Sequence, residues 1–333
     1  MDFNAVTRRF KEDLLRLEDA IRENYESDVP LIPGISSYLM DGGGKRVRPL
    51  LTLIAAKLCG RDVDDTVIKH GCVIEYIHAA TLLHDDVVDE TTVRRGHETV
   101  NSKWGNDASI LVGDFLISRA ILILAQDCDK RIIRAIAEAT KVLVEGGILE
   151  YTHARKLEIS KKHCLDVIYR KTASILSVSC EMGGLLGNAN EAQVNSLIAF
   201  GNDFGMAFQL VDDAMDYDGD EDLLGKPPGT DFKEGHVTFP LLHLFQNSDR
   251  GLKRKIESYI KNENVSQKDF ELILERMREA KSIEYTLNLA RDYMDRAKNI
   301  LRNTEYPCPE FIDYLTAVAD HTLDRYIPAK TCS

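Results

Sequence analysis

Two short acidic motifs with identical spacing are the residues best suited to chemistry in this 333-residue chain. The motifs consist of Asp85, Asp86 and Asp89, and of Asp212, Asp213 and Asp216. In a helix, the first and last aspartates of each motif lie on one face. Like charges so placed destabilise an isolated helix by about 0.2 to 0.5 kcal/mol, and both motifs sit in apolar segments, so a bound cation explains them better than a solvated acidic face does.

The ligand chemistry of the motifs favours a hard cation. Aspartate oxygens without histidine or thiolate partners suit Mg²⁺, which proteins usually hold with one or two carboxylates while substrate phosphates and water complete the shell. His78 lies on the same helical face as Asp85 and Asp89, although a packing histidine is the plainer interpretation. The sequence therefore predicts a magnesium site that takes a diphosphate substrate.

Such a substrate needs basic groups, and the chain supplies several. A triple glycine at 42–44 precedes Lys45, Arg46 and Arg48, so that backbone amides and basic side chains can approach an anion closely. An ordinary helix-entry loop is the alternative for this segment. Further candidate cations are Arg94, Arg95, Lys171 and Lys226.

Apolar periodicity predicts an all-α fold. No proline occurs between Pro49 and Pro227, and apolar residues recur at helical spacing through most of that stretch. We expect an amphipathic N-terminal helix within 1–28, no strand, a single domain over 1–333, and a lid in the irregular loop 219–230. Further helices are predicted near 50–59, 65–90, 108–127, 130–155, 162–186, 191–217, 238–246, 251–262, 267–277, 282–303 and 309–325.

Composition limits the possible partners and compartments. The formal net charge of -12 argues against a nucleic-acid partner. Seven cysteines without CxxC spacing predict free thiols in a reducing, cytoplasmic compartment. The mixed charges of the N-terminus are not typical of a targeting peptide, and no window of 18 uncharged apolar residues predicts a transmembrane segment.

Taken together, the motifs resemble those of trans-type polyprenyl diphosphate synthases. Residues 75–89 read ExIHxxTLLHDDxxD and precede Arg94-Arg95-Gly96, while residues 204–216 read FGxAFQLxDDxxD. The Gly-Lys-Arg-x-Arg-Pro, Gly-Asp-Phe-Leu (113–116), Lys-Thr (171–172) and Gly-Lys (225–226) segments follow the family's order. The resemblance runs from about residue 35 to the C-terminus.

The resemblance implies condensation of isopentenyl diphosphate with an allylic diphosphate in a bundle of long helices around a central cavity. It implies a homodimer and about two or three Mg²⁺ ions per site, held by Asp85, Asp89 and Asp212. The other motif aspartates, Lys171 and Gln209 would share the catalytic work. The isopentenyl diphosphate would bind to Lys45, Arg48, His78 and Arg95. The allylic substrate would contact Arg94, Lys171, Thr172, Gln209, Lys226 and His236.

Two positions depart from the family pattern. Where the family usually reads Glu-Gly-Lys, this chain has a titratable residue, His236. A common Gly-Glu-x-x-Gln pattern is replaced by Gly146-Gly147-Ile148-Leu149-Glu150, for which the sequence offers no explanation.

Chain length and reaction type leave alternatives open. Ala80 and Thr81, before Asp85, occupy positions where shorter-chain members often carry an aromatic, so we expect a long product, of octaprenyl length, for a quinone side chain. A geranylgeranyl or farnesyl synthase is the second possibility. A class I terpene cyclase would not need the Gly-Lys-Arg-x-Arg loop, and a noncatalytic partner subunit commonly lacks one of the two aspartate motifs.

Overall fold

A computed structural model describes residues 1–42, 44–94, 96–126, 129–218, 228–261 and 265–326. The all-α prediction is confirmed. By its internal contacts the chain forms two compact units. The first contains residues 1–140, 175–201 and 298–319, and the second contains 141–174, 202–297 and 320–333. The single-domain assignment stays a prediction.

The described residues form helices connected mostly by short loops. The helices are α1 (Phe3–Arg9), α2 (Lys11–Asn24), α3 (Leu31–Asp41), α4 (Val47–Leu58), α5 (Asp65–Val88), α6 (Val100–Trp104), α7 (Asn106–Gln126), α8 (Lys130–His153), α9 (Lys161–Ile168), α10 (Ser174–Leu186), α11 (Glu191–Asp218), α12 (Thr230–Glu234), α13 (Phe239–Asn247), α14 (Arg250–Lys261), α15 (Gln267–Glu279), α16 (Ser282–Arg302) and α17 (Phe311–Asp324). A π-helical turn, Tyr169–Ala173, joins α9 to α10.

The long helices agree with the sequence prediction, and the short elements do not. Helices α3, α6 and α12 were not predicted; α6 and α12, with five residues each, are too short for apolar periodicity to stand out. An antiparallel pair of two-residue strands, β1 (Val93–Arg94) and β2 (His97–Glu98), also departs from the expectation of no strand.

The amphipathic N-terminal segment forms two helices rather than one. The break falls at Phe10, whose φ and ψ of -101° and 14° lie outside the helical range. Its ring is fully buried and meets the rings of Phe311 and Tyr314 edge-on, with centroids 6.3 and 5.9 Å away. Packing of this ring therefore outweighs helical continuity.

Helix α5 is the core helix of the first unit and carries the first aspartate motif. The Asp64 side chain caps its N-terminus by accepting from the Val67 amide, and most side chains along its length are buried. The helix ends at Val88. Beyond it, the Asp89 amide donates to the Asp85 carbonyl oxygen, and Glu90 takes a left-handed φ of 52°. Asp85 and Asp86 thus occupy the last turn of α5, and Asp89 is the residue that caps its C-terminus.

Close packing in the second unit surrounds the π-helical turn Tyr169–Ala173. A Cβ on Gly146 of α8 would lie 2.7 Å from the Arg170 Cβ, and a Cβ on Gly205 of α11 would overlap the Ala173 backbone. These two glycines let both helices touch the turn directly.

One described helix has the length and composition of a membrane span, contrary to the expectation that no segment would. In α7 an 18-residue window has a mean hydropathy of 2.0, although 39% of that window is buried within the structure. The helix also carries Asp107, Asp114 and Arg119. Length and composition alone are weak evidence for a membrane span, since a core helix passes the same test.

Candidate functional site

The first aspartate motif combines two accessible carboxylates with one buried carboxylate. Asp85 and Asp89 are partly exposed, whereas Asp86 is buried. The Asp86 Oδ1 accepts a hydrogen bond from Arg94 Nε at 2.9 Å and lies 2.8 Å from Arg94 Nη2 in an ion pair. Burial raises the pKa of Asp86, and the Arg94 charge offsets part of that effect. The structure therefore places Arg94 on a motif carboxylate, while its contact with the allylic substrate stays a prediction.

The Gly-Lys-Arg-x-Arg loop contains one structural cation. Arg46 has a left-handed φ of 46° and donates to Glu18 and Glu75 at 2.7 and 2.6 Å. These two carboxylates raise the pKa of Arg46 against the effect of its burial. Arg46 thereby fixes the loop that carries Lys45, which is exposed, and Arg48, which is partly buried. The loop begins α4 and lies in the first unit.

The remaining predicted residues of the first unit lie on α5. His78 and Thr81 are partly exposed, and the Thr81 hydroxyl donates to the His78 carbonyl oxygen at 2.8 Å. Ala80 is fully buried. Of the two predicted chain-length residues, Thr81 therefore has accessible surface and Ala80 does not.

The second aspartate motif occupies the last turns of α11. Asp212 is partly exposed and forms an ion pair with Arg325, in which Asp212 Oδ1 and Arg325 Nη2 are 2.9 Å apart. The Arg325 guanidinium also lies 4.9 Å from the centre of the Phe208 ring. Sequence reasoning missed Arg325, because an isolated arginine after the last helix carries no motif.

Asp213 and Asp216 face inward and hold the backbone that follows the motif. Asp213 is buried and accepts from Gln209 Nε2 at 2.9 Å and from the Phe239 amide at 3.4 Å. Burial raises its pKa to about 8 despite these two hydrogen bonds. Asp216 is fully buried, and its Oδ2 accepts from the Asp231 amide at 3.2 Å. Asp216 thus connects α11 to the first turn of α12, and Asp213 connects it to the first residue of α13.

The π-helical turn presents Lys171 and Thr172 to the same part of the second unit. The Thr172 hydroxyl donates to Gln209 Oε1 at 2.7 Å, and Gln209 in turn donates to Asp213. Turns of this kind are frequent at functional sites because they redirect side chains that a regular helix would place elsewhere. The predicted Thr172 and Gln209 are therefore connected to the second aspartate motif.

Glu150 is the residue that sequence reasoning could not interpret, and it contacts two predicted cations. Its Oε2 accepts a hydrogen bond from Lys171 Nζ, and its Oε1 lies 3.5 Å from His236 Nδ1. Burial alone would raise the Glu150 pKa, but the hydrogen bond from His236 and the Lys171 charge lower it to about 2. Burial alone would lower the His236 pKa, but Glu150 raises it to about 9.

Two predicted residues, Arg95 and Lys226, lie outside the described residues, as does most of the predicted lid. Within the described ranges, no group of three or more histidine, cysteine, aspartate or glutamate side chains has the geometry of a metal site. The two aspartate motifs belong to different units, and each motif is described within its own unit.

Comparison with known proteins agrees with the motifs. The sequence model of the polyprenyl synthetase family matches residues 29–277. The chain is 36% identical to the octaprenyl diphosphate synthase of Haemophilus influenzae over 329 residues, which are 98% of each chain.

Two solved structures are similar over nearly their whole length. One is a decaprenyl diphosphate synthase from Rhodobacter capsulatus, with a TM-score of 0.92 and 34% identity, covering 98% of this chain and 99% of that one. The other is a polyprenyl synthase from Caulobacter crescentus complexed with calcium and isoprenyl diphosphate, with a TM-score of 0.93 and 35% identity, covering 98% of both chains. This chain therefore belongs to the polyprenyl synthetase family and is a trans-polyprenyl diphosphate synthase.

Proposed function

We propose that the protein condenses isopentenyl diphosphate with an allylic diphosphate, in a Mg²⁺-dependent head-to-tail reaction, to a product of octaprenyl length. The observation that carries the reaction type is the joint presence of two intact aspartate motifs and of two cations, Lys171 and His236, which Glu150 joins in the unit that contains the second motif. The octaprenyl name of the Haemophilus influenzae relative supports the chain length.

The residues present fit Mg²⁺. Asp85, Asp89 and Asp212 are partly exposed aspartates, and the described part of the chain gathers no cluster of three ligands. Mg²⁺ accepts this arrangement because phosphate oxygens and water complete its shell. The structure of the Caulobacter crescentus synthase contains both calcium and isoprenyl diphosphate, which supports the binding of a divalent cation together with a diphosphate. When bound, Mg²⁺ would supply positive charge to the departing diphosphate.

In the proposed reaction, the bond between C1 of the allylic substrate and its diphosphate oxygen breaks, and the electron pair leaves with diphosphate. Lys171 and His236 would donate hydrogen bonds to that diphosphate as its negative charge grows. The double bond of isopentenyl diphosphate then attacks C1, and the proton released afterwards passes to the departing diphosphate. Lys45, Arg48 and His78 would hold isopentenyl diphosphate, with Thr172 and Gln209 ordering the allylic side.

One assay separates this proposal from its alternatives. Incubation with isopentenyl diphosphate and farnesyl diphosphate, followed by mass analysis of the products, should give a prenyl diphosphate of octaprenyl length. A geranylgeranyl product would select the shorter-chain alternative. A cyclised hydrocarbon without uptake of isopentenyl diphosphate would select the terpene cyclase, and no product at all would select a noncatalytic subunit.

His236 should give the reaction an alkaline limit. Its raised pKa keeps the imidazole positively charged up to about pH 9, and the charge is lost above that value. We expect kcat/KM for the allylic substrate to fall as pH rises through this region, and His236→Lys to move the decline to higher pH because lysine titrates near 10.4. Initial rates over a pH series, with enzyme stability checked at each pH, measure both effects. Superimposable profiles would show that His236 does not contact the substrate.

A homodimer is the proposed assembly. Helix α7 exposes four large apolar side chains within the first unit, each 40 to 67% accessible: Ile110, Leu111, Ile121 and Leu122. Ile110 and Ile121 lie within about 20° of one another around the helix, as do Leu111 and Leu122. Exposed large apolar side chains on one side of a helix mark an interaction surface, and a second copy of the chain would cover them. Such an interface would account for these exposed apolar side chains of α7 without a membrane.

We expect the double substitution Leu111→Glu and Ile121→Glu to convert the dimer to monomers, because two carboxylates would be buried in the interface. Light scattering during gel filtration should change from twice the chain mass of 37.5 kDa to that mass. Leu15→Glu, at an apolar residue of α2 with 56% accessibility, is the matched control and should leave the mass unchanged. Retention of the dimer by the double variant would place the interface elsewhere.

A further inference from the structure

A carboxylate lies between two cations predicted to bind the allylic diphosphate. Glu150 comes from α8, Lys171 from the π-helical turn, and His236 from the segment after α12. The carboxylate uses one oxygen for each cation, and the three side chains are only 27, 29 and 18% accessible, respectively. Solvent therefore screens the interactions among these three charged groups less than it would at the protein surface.

The two residues that depart from the family pattern, Glu150 and His236, contact each other in this arrangement. The chain has Glu150 where the pattern ends in a neutral glutamine, and His236 where a lysine is usual. One change adds a negative charge and the other replaces a permanent cation with a titratable group. The 3.5 Å separation of Glu150 Oε1 and His236 Nδ1 joins them in one ion pair.

The contact with Glu150 determines which ring nitrogen of His236 can bind a ligand. With Nδ1–H donated to Glu150, the second ring nitrogen, Nε2, is the atom that His236 can offer to a diphosphate. Nε2 donates a hydrogen bond only when the ring is cationic, and in the neutral ring its lone pair would face the anion. A lysine in this position would need no such support, because it is charged at neutral pH.

The groups around His236 show that Glu150 is the main support of the cation. Burial and the neighbouring Lys171 both disfavour the charged ring, whereas Glu150 and the more weakly acting Asp231 favour it. Arg155 packs against the preceding Gly235, adding another positive side chain nearby. Without Glu150, the local charges would therefore favour a neutral imidazole.

We propose that Glu150 is a positioning residue of the diphosphate site, bridging Lys171 and His236 so that a histidine can serve as a diphosphate donor at position 236. Its carboxylate sets the spacing of the two cations and suppresses their mutual repulsion. The proposal rests on the proposed function, in which Lys171 and His236 bind the allylic diphosphate.

The first test needs no turnover. The His236 imidazole is followed by NMR through a pH titration of the substrate-free protein, with the signal assigned by its loss in His236→Gln. We expect a midpoint near 9 in the wild type and a midpoint below the usual 6.5 in Glu150→Gln. Glu145→Gln is the matched control, because Glu145 lies on α8 and pairs with the neighbouring Arg170 at 2.7 Å.

The second test is kinetic. At pH 8, Glu150→Gln should raise KM for the allylic diphosphate about tenfold, the effect of losing one charged hydrogen bond, with a smaller change in kcat. At pH 6 the difference should shrink as more of the imidazole becomes protonated. The double variant Glu150→Gln with His236→Lys should recover the wild-type KM within about threefold. The reason is that a lysine side chain at position 236 stays charged at pH 8 without a neighbouring carboxylate.

Several outcomes would overturn the inference. An unchanged His236 midpoint in folded Glu150→Gln would show that the pair does not form, and a double variant no better than Glu150→Gln would show that the cation at 236 is irrelevant. If Glu150→Gln fails to fold, Glu150→Asp is the substitute variant, because it keeps the negative charge on a shorter side chain that cannot reach both cations. A His236 midpoint still near 9 in Glu150→Asp would count equally against the bridge.

Calorimetric titration with inorganic diphosphate distinguishes failure of the inference from failure of the proposed function. Weaker diphosphate binding by Glu150→Gln at pH 8, together with the expected shift of the His236 midpoint, would support the bridge even if the wild type formed no prenyl product. That result would refute the proposed condensation alone. Condensation by the wild type with an unshifted midpoint in Glu150→Gln would refute the bridge alone.

Discussion

Asp85→Ala and Asp212→Ala should each lower kcat by about a thousandfold or more while leaving the helical content nearly unchanged. The proposed metal supplies several kcal/mol of charge stabilisation in the transition state, and each 1.36 kcal/mol corresponds to a factor of ten in rate. Both carboxylates are partly exposed, so their removal should have little effect on the free energy of unfolding. Single-turnover kinetics at saturating Mg²⁺, together with circular dichroism, measure the two quantities separately.

Matched controls come from the same two helices. Asp65 begins α5 and pairs with Arg16 at 2.8 Å, while Asp203 lies on α11 and pairs with Arg296 at 2.8 Å. Alanine at either position removes an aspartate from the same helix without touching the motifs, and we expect near-normal turnover. Near-normal turnover of Asp85→Ala or Asp212→Ala as well would refute the assignment of that motif to metal binding.

Ala80→Tyr should shorten the product to about three or four isoprene units, at a first-condensation rate similar to that of the wild type. A growing prenyl tail must extend away from the metal-bound diphosphate into apolar surroundings beside the turns before Asp85. Close-packed interiors accommodate added bulk poorly, so a tyrosine in the path of the tail would stop elongation early. Mass analysis of products from farnesyl diphosphate and isopentenyl diphosphate gives the chain length directly.

The structure makes Thr81→Tyr the necessary companion to this variant. Ala80 is fully buried, so a tyrosine there could destabilise the fold, whereas Thr81 has accessible surface on α5. Thermal unfolding of both variants separates misfolding from a change of product. If Ala80→Tyr folds, turns over and still makes the full-length product, the tail runs along another path; a shortened product from Thr81→Tyr alone would identify that path.

Apolar periodicity was sufficient to predict the long helices because their burial dictates residue type at nearly every turn. Helix α5 illustrates this, with buried side chains along most of its length and an aspartate cap at its start. Helix α3 was missed because Pro33 and Gly34 near its start are typical of loops, although proline is tolerated in the first turn of a helix. The break at Phe10 depends on rings of Phe311 and Tyr314, which are distant in sequence.

The candidate site was predictable where residue types form local motifs and not where partners come from distant elements. The aspartate motifs and Lys171 were identified from spacing and resemblance alone. Glu150 remained unexplained, because its role depends on contacts with two other elements of the second unit. Arg325 was missed for the same reason, since only the folded chain brings it to Asp212.

The π-helical turn at Tyr169–Ala173 makes the number of residues in this segment as important as their identity. It contains one residue more than a regular helix of the same rise would, and removing one residue would rotate everything on one side of it by about 100°. Lys171 could then no longer meet Glu150 while Ala173 still lay against Gly205. The segment should thus tolerate conservative substitutions far better than an insertion or deletion.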